Sequence, residues 1–493
     1  MGMTNAPVLT RRQVTVHPAR ADRLTMLLHS RWPYATVAVA GLIMHLALAL
    51  PIYAWYDRLL AWGPLVILLF LVYRYMHNGE KSVPLLAVVA LQIYIFYSVP
   101  QFSQDKLLLY SGLYQPSRGA LTSACLLALL GELAFILGFQ GLRKAWGNRP
   151  NIFDRILPRP SQNWSLAIVL YAIPSLVVYV LIALRPDYIP VGGRFALSSL
   201  LNVLMALVLS LYLGYKLRRR RMVRFAYVII VIMIMIGFIQ GMMGAIVMPI
   251  LILFMCVWMW GRAVRLRWVL VVLVAIIVIN PAKNLFRTLA WDDKDVSSLK
   301  KVESRLGDWK SAFVDVWTGQ TIAPNIMETA SRASDLLDFA QAVDLVPASI
   351  PYDHGKGMAI ALVFWVPRIV WPSKPSGTEL LNNRYSVEFG LQSTEGTRTS
   401  TAAISAFTEG YWNLGWSGVL VFLFGVGAIL GFFFGNNGKT GDLSAIACTV
   451  YLAQVILPLQ AFSFMLSPLI TFTAGVWLAM WGLAWLSNIT AHR

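Results

Sequence analysis

Acidic residues are scarce in this chain. Its 493 residues include 23 Asp and Glu against 41 Lys and Arg, and all charged residues together make up only 13%. There are 6 histidines and 3 cysteines. Cys125, Cys256 and Cys448 each sit inside an apolar run, which excludes a disulfide framework and a cysteine-based metal cluster. No zinc-finger or RNP signature accompanies the net charge of +18, so the excess of cations does not make a nucleic-acid-binding protein. Too little charge is present to solvate a soluble domain of this length.

Long apolar runs are what the chain has in abundance. Hydrophobic residues reach 58% and the mean hydropathy is +0.64. Runs long enough to span a bilayer fall near 33–54, 59–75, 82–100, 119–141, 164–184, 195–215, 225–241, 243–260, 267–282, 416–435, 443–460 and 464–486, about twelve helices in all. The fold class expected is therefore an all-α polytopic membrane protein. The basic N-terminus followed by "ALAL" has the look of a signal peptide, but the run from Pro33 to Trp55 is long enough to be a retained first span. Between spans seven and eight, "FIQGMMG" offers a glycine-rich turn, and two separate helices are expected there.

The connections alternate in charge. "RKAWGNRPNIFDRILPRP", "KLRRRRMVR" and "RAVRLR" fall on one side, with Arg11, Arg12, Arg20, Arg23, Arg31, Arg74 and Lys81. The opposite connections, such as "PIYAWYD" and "IQGMMG", carry little charge. The positive-inside rule makes the basic side cytoplasmic and puts both termini there. Three regions follow: a membrane bundle of about nine spans over 1–282, an external segment over 283–412, and about three further spans over 413–493.

The external segment begins with "WDDKDVSSLKKVESRLGDWKSAFVDVW", whose charges and apolar spacing predict an amphipathic helix. "NIMETASRASDLLDFAQAVDLVP" continues with Ile326, Ala330, Ala333, Leu336, Leu337 and Ala340 on one face, and these helices are expected to form a cap over the bundle. Met358 to Val366 is apolar yet too short to cross, as in a re-entrant or interfacial helix that ends at Pro367. Arg368 and Lys374 in "VPRIVWPSKP" are then held at headgroup depth beside Trp365 and Trp371, where cations suit a lipid-linked phosphate or pyrophosphate. "NNRYSVEFG", "STEGTRTSTAAIS" and "FTEGYWNLGWSG" supply the amides, hydroxyls, aromatics and carboxylates that recognise sugars. Glu132, an acid inside the fourth span, is a functional candidate by its position, with a structural pair to His45 as the simpler account.

"VPRIVWPSKP", then "LNNRYSVEFG", then "FTEGYWNLGWSG" running into a span, resembles the Wzy-type polymerases of oligosaccharide repeat units, relatives of the O-antigen polymerases and ligases. The resemblance covers mainly Ser331 to Leu420. It implies a GT-C-like bundle in the bacterial inner membrane with its active site on the outer, periplasmic face. The implied activity is metal-independent, inverting transfer of a glycan from undecaprenyl pyrophosphate to a lipid-linked repeat unit, with no cofactor. Membrane lipids and a chain-length-regulating co-polymerase are the further partners implied.

The two needs of such a reaction are a stabilised leaving group and a base. For the pyrophosphate the candidates are Arg368, Lys374, Arg384, Arg398, Arg194 and Arg332. For catalysis they are Glu409, Glu395 and His354, the last in "YDHGKG", which reads equally as a turn. For the sugar they are Asn382, Asn383, Tyr411, Trp412 and Trp371. An O-antigen ligase is the neighbouring alternative. A twelve-span transporter is the alternative of a different class, although no internal repeat is evident.

Overall fold

The computed structural model describes residues 30–49, 51–77, 84–102, 116–146, 157–158, 160, 163–184, 200–260, 266–291, 298–318, 335–357, 371, 378–391, 393–395, 397, 404–434, 442–451 and 462–491. The described residues are helical throughout, with no β-strand among them. In chain order the helices are α1 (Trp32–Leu48), α2 (Trp55–His77), α3 (Leu85–Ile93), α4 (Arg118–Trp146), α5 (Trp164–Leu184), α6 (Val203–Tyr215), α7 (Arg220–Gln240) and α8 (Met243–Trp260). They continue as α9 (Leu266–Trp291), α10 (Ser298–Thr318), α11 (Leu336–Leu345), α12 (Arg384–Glu388), α13 (Ala406–Phe434), α14 (Asp442–Tyr451) and α15 (Phe462–Ala491).

Among the described residues, seven helical stretches are long and apolar enough to cross a membrane: α2, α3 extended through Phe102, α4, α5, α7, α8 and α13. The apolar helices α1 and α6 are shorter. The chain is thus an all-helical protein with the makings of a membrane bundle. Each of the twelve runs marked by hydropathy coincides at least in part with a helix.

The expected break between the seventh and eighth runs is real. Gly241 ends α7 with φ 65°, a left-handed conformation that glycine adopts without a Cβ penalty. Its amide donates to Phe238 O and that of Met242 to Gly237 O, which satisfies carbonyls the helix end would leave open. α8 then folds back so closely that a Cβ on Gly237 would meet Ile246 Cγ1 at 2.8 Å.

α4 and α13 form the central pair. Gly131 lies against Leu423, Phe135 against Gly427, and Phe139 against Gly431, so contacts advance together and the two helices run parallel. A side chain on Gly427 or Gly431 would overlap a backbone carbonyl of α4, and one on Gly138 would overlap Phe424 O. In a bilayer apolar burial gives helices no preference for each other over lipid, so this close backbone approach, with its dispersion contacts, is what joins them.

α13 contains two helices. Leu414 (φ −142°) and Gly415 (φ 61°, ψ −140°) break it, and the backbone of Gly410 packs against Gly418 and Val419 across the break. Residues 406–413 and 416–434 therefore make an antiparallel hairpin. Phe407 and Leu423 both meet Gly131, which places the start of the first arm about 12 Å along the second, counted from Gly415 at the rise of an α-helix. The first arm is a re-entrant half-helix inside the bundle.

α11 does the same. Asp344, near its end, accepts from Ser117 N at 2.9 Å and Ser117 Oγ at 2.8 Å, at the start of α4. At its beginning, Asp335 N donates to Phe96 O at 3.1 Å, within the π-helical turn Tyr94–Ser98 that continues α3. Phe339 packs on Tyr97 and Phe407. Leu336, Phe339, Ala340 and Ala342 are fully buried, because the apolar face predicted from spacing meets α4 and α13. Ile326, Ala330 and Ala333 lie outside the described residues, as does the expected re-entrant helix at Met358–Val366.

Candidate functional site

The two re-entrant helices bring a polar set together where the hairpin of α13 turns. The loop 351–357 follows α11 and is clipped to the end of the first arm of α13. Asp353 N donates to Trp412 O at 2.9 Å, and Gly355 N to Asn413 Oδ1 at 2.6 Å. Asn413 Nδ2 donates to Glu409 O at 2.8 Å, so one amide side chain closes both the half-helix and the loop. Tyr352 fits against Gly415, where a Cβ would come 3.0 Å from its hydroxyl. The left-handed turn at Gly415 thus has both a backbone and a packing reason to be glycine.

Asp353 is the hub. Its side chain is 1% exposed; Oδ1 accepts from Arg384 Nη2 at 2.8 Å and Oδ2 accepts from Gly357 N. Arg384 begins α12 and donates through Nε to Glu388 Oε1 at 3.0 Å, one helical turn on. Its guanidinium carbon lies 5.0 Å from the centre of the Trp412 ring, within cation–π range. Partial burial disfavours the charged guanidinium, but the bonds to Asp353 and Glu388 outweigh it and raise the pKa above its ordinary value. Trp412 is fully buried, with Phe389 edge-on at 5.4 Å and Tyr385 at 6.3 Å.

The first arm of α13 is capped by Ser405, whose hydroxyl accepts from Thr408 N at 3.2 Å while its carbonyl accepts from Glu409 N. Glu409 is fully buried on this arm. Asn382 Oδ1 accepts from Ile404 N at 3.4 Å, which ties the π-helical turn Thr378–Asn383 to the entry of the half-helix. Asn383 Oδ1 and Trp412 Nε1 are buried without a hydrogen-bond partner among the described residues.

The sequence-derived candidates divide accordingly. Arg384, Trp412 and Glu409 gather around the hairpin. Arg384, expected on a pyrophosphate, is engaged by two carboxylates. Trp412 and Tyr411, expected against a sugar, are both buried: Trp412 is enclosed by Arg384, Tyr385 and Phe389, and Tyr411 is 6% exposed beside Phe339, its hydroxyl 3.5 Å from Val343 O. His354 is exposed with φ 49°, next to Asp353, its ring 5.9 Å from that of Tyr352. Glu395 and Trp371 are exposed. Arg368, Lys374, Arg398, Arg194 and Arg332 lie outside the described residues.

Asp353 and Asn413 are the residues sequence reasoning passed over. "YDHGKG" was legible as a turn, and an aspartate before two glycines is a usual way to hold one. Nothing in its spacing pointed to Arg384, 31 residues away.

A second buried polar set lies between α2, α4 and the end of α3. Gln101 Nε2 donates to Asp57 O at 3.1 Å and approaches Cys125 Sγ at 3.6 Å, and Asp57 Oδ2 accepts from Ala54 N at 2.9 Å. Tyr53 Oη, Asp57 Oδ1 and Gln101 Oε1 have no hydrogen-bond partner among the described residues. Two turns along α4 from Cys125, both carboxyl oxygens of Glu132 are buried and likewise unpartnered among the described residues. The expected pair with His45 does not form. His45 Nδ1 lies 2.8 Å from Gly41 O, its Nε2 has no partner, and its ring packs on Phe102.

No curated protein and no solved structure matches the chain. A family model described as Domain of unknown function (DUF8712) matches residues 93–439, which run from the end of α3 through the hairpin of α13 and cover more than half of the chain. The chain belongs to that family.

Proposed function

We propose that the chain is a membrane glycosyltransferase that polymerises undecaprenyl-pyrophosphate-linked repeat units at the outer face of a bacterial inner membrane. In this reading it has twelve spans, cytoplasmic termini and a GT-C-like bundle. The observation that carries the proposal is the way α11 and the first arm of α13 fold back into the bundle. Described segments rich in amides, carboxylates and aromatics lie among apolar helices, and the sequence between α11 and α13 holds Arg368 and Lys374. Irregular backbone at membrane depth is tolerated where protein covers it or a water-filled cavity receives it, and such places are where lipid-linked substrates meet polar side chains.

In the proposed step an acceptor hydroxyl oxygen attacks the anomeric carbon of the donor glycan. The bond from that carbon to the pyrophosphate oxygen breaks, and its electron pair leaves with undecaprenyl pyrophosphate. Arg368 and Lys374 neutralise the departing charge. The hydroxyl proton passes to a carboxylate, for which Glu409 is the choice because it belongs to the re-entrant arm. Its complete burial makes opening of the hairpin on substrate arrival part of the proposal. Arg384 serves here as a positioning residue that fixes the loop of Asp353 and His354.

A broken helix whose half-helix starts inside the bundle also favours a second reading, a transporter, since discontinuous helices commonly build transport sites. One experiment separates the readings. Purified protein in proteoliposomes is given a lipid-linked repeat unit and no other acceptor. A ladder of lengthened glycans supports the polymerase. Reaction only after a different acceptor is added makes it a ligase, and translocation with no change in glycan length makes it a transporter.

A further inference from the structure

α10 is tied across the ends of two other helices. Trp309 Nε1 donates to Phe238 O at 2.7 Å and Arg305 Nη1 donates to Ile239 O at 2.8 Å, both carbonyls of the last turn of α7. These are among the carbonyls that a helix end leaves without an internal partner, and a cation there is favoured by the helix dipole. Trp309 also stacks on Phe286 of α9 at 4.6 Å and meets Phe238 edge-on at 5.4 Å. Ala312 and Val316 complete the buried stripe. α7 is one of the helices long and apolar enough to cross a membrane, so α10 lies at the level where its apolar length ends.

A helix held only by that stripe would be expected to turn polar residues outward everywhere else, and α10 does not. Leu306, Phe313 and Trp317 recur at i, i+7 and i+11 and so share one stripe beside the buried one. Leu306 is 60% exposed and Trp317 36%, with Phe313 half-buried between the two stripes. Lys310 is exposed one turn from Leu306, on the same flank. Asp308 and Asp315 stand on the opposite flank with Ser304 and Ser311. The helix therefore has one sector against protein, one apolar with a tryptophan and a lysine that continues into exposed Val314, and one with Asp308, Asp315, Ser304 and Ser311.

We propose that α10 is an in-plane membrane anchor. Its Leu306, Phe313 and Trp317 stripe sits in the headgroup and acyl boundary of the leaflet at that end of the bundle. Lys310 reaches the lipid phosphates, and exposed Asp315 faces water. Two observations choose lipid as the occupant. The stripe adjoins the end of a membrane-length helix, and exposed Val228, Val231 and Met235 carry the apolar surface of α7 toward the same end. Tryptophan at the interface and lysine directed to headgroups are the pattern of helices that lie in the membrane plane.

The test places an environment-sensitive fluorophore on single cysteines of the full chain in lipid nanodiscs. Cys125, Cys256 and Cys448 are buried, so labelling is directed to the introduced site. Leu306→Cys and, as a second position on the same stripe, Trp317→Cys should give blue-shifted emission, at least twofold quenching by acyl-brominated lipid, and little quenching by iodide. Ser311→Cys should show the reverse. Iodide access at 306 and 317 equal to that at 311 would overturn the proposal. So would protection of 306 and 317 from both quenchers, which would mean that protein, such as a second copy, covers the stripe.

Discussion

Replacing Asp353 tests whether the hairpin of α13 is held from the loop side. The carboxylate is buried and accepts two hydrogen bonds, one from the Gly357 amide and one from Arg384. Asp353→Ala removes both. The Gly357 amide, itself buried, is then left without its acceptor, which costs about 1–3 kcal/mol. Arg384 loses a charge-assisted bond, but its side chain is 35% exposed and keeps Glu388, so water recovers most of that loss and its share is discounted to about 1 kcal/mol or less. The sum is a destabilisation of about 1–4 kcal/mol. Asp353→Asn keeps one acceptor oxygen and turns an NH₂ toward one of the two donors, so it should cost less than alanine but more than an exposed substitution. Arg384→Ala and the double variant complete a cycle whose coupling should be about 1 kcal/mol. Denaturant-induced unfolding in detergent micelles, followed by tryptophan fluorescence, reads the difference, because Trp412 lies against Arg384 and its carbonyl holds the loop. An Asp353→Ala protein within about 0.5 kcal/mol of the parent, the range of ordinary surface changes, would refute the argument.

Gly427→Ala should destabilise the bundle by about 1–3 kcal/mol through overlap with the Phe135 carbonyl, whereas Gly425→Ala, with open space beside it, should be neutral; equal melting temperatures for the two would remove the close α4–α13 contact. Arg368→Lys keeps the charge but loses the planar fork, so product formation should fall nearly as far as in Arg368→Ala, and a fully active lysine variant would count against bidentate phosphate contact. Glycan transfer should survive EDTA, since carboxylates are scattered along 283–412 and cations are assigned to the leaving group; loss in chelator with recovery on adding magnesium would reverse that. An impermeant thiol reagent applied from outside should modify Ser376→Cys and spare Ser161→Cys, and the opposite pattern would invert the proposed topology.

Much of the helical layout was legible because hydropathy and charge report on lipid contact. The twelve runs found by composition begin or end within a few residues of helices in most cases, and the two helices separated at Gly241 follow from one glycine in a left-handed conformation. The site was less legible. Its central contact joins Asp353 to Arg384, and its second clip joins Gly355 to Asn413, 58 residues on. Long-range polar pairs leave no periodic trace in one sequence. His45 and Glu132 show the converse error, since two ionisable residues in the first and fourth apolar runs invite a pair that the fold does not make.

The re-entrant arms explain why the segment 283–412 reads as a cap. Leu336–Leu345 has an apolar face of the width that docks a surface helix, and it is too short to span. Nothing in that face tells whether it rests on the ends of a bundle or slides between its helices. What decides is the pair of ends: Asp344 reaches the start of α4 while Asp335 reaches back to Phe96, so the helix is fixed along its neighbours and not across them. In α13 the boundary itself is legible, because "AFTEGYWN" reads as the end of the external segment with a span beginning at 416, and the turn at Leu414 and Gly415 falls there. The return of that stretch into the bundle is not. The short arm can then return beside the long one because Gly410 and Gly418 bring the two backbones together. Glycine at 410, 415 and 418 is thus the sequence feature that folds the short arm back on the long one as a hairpin and delivers Glu409 to the bundle interior.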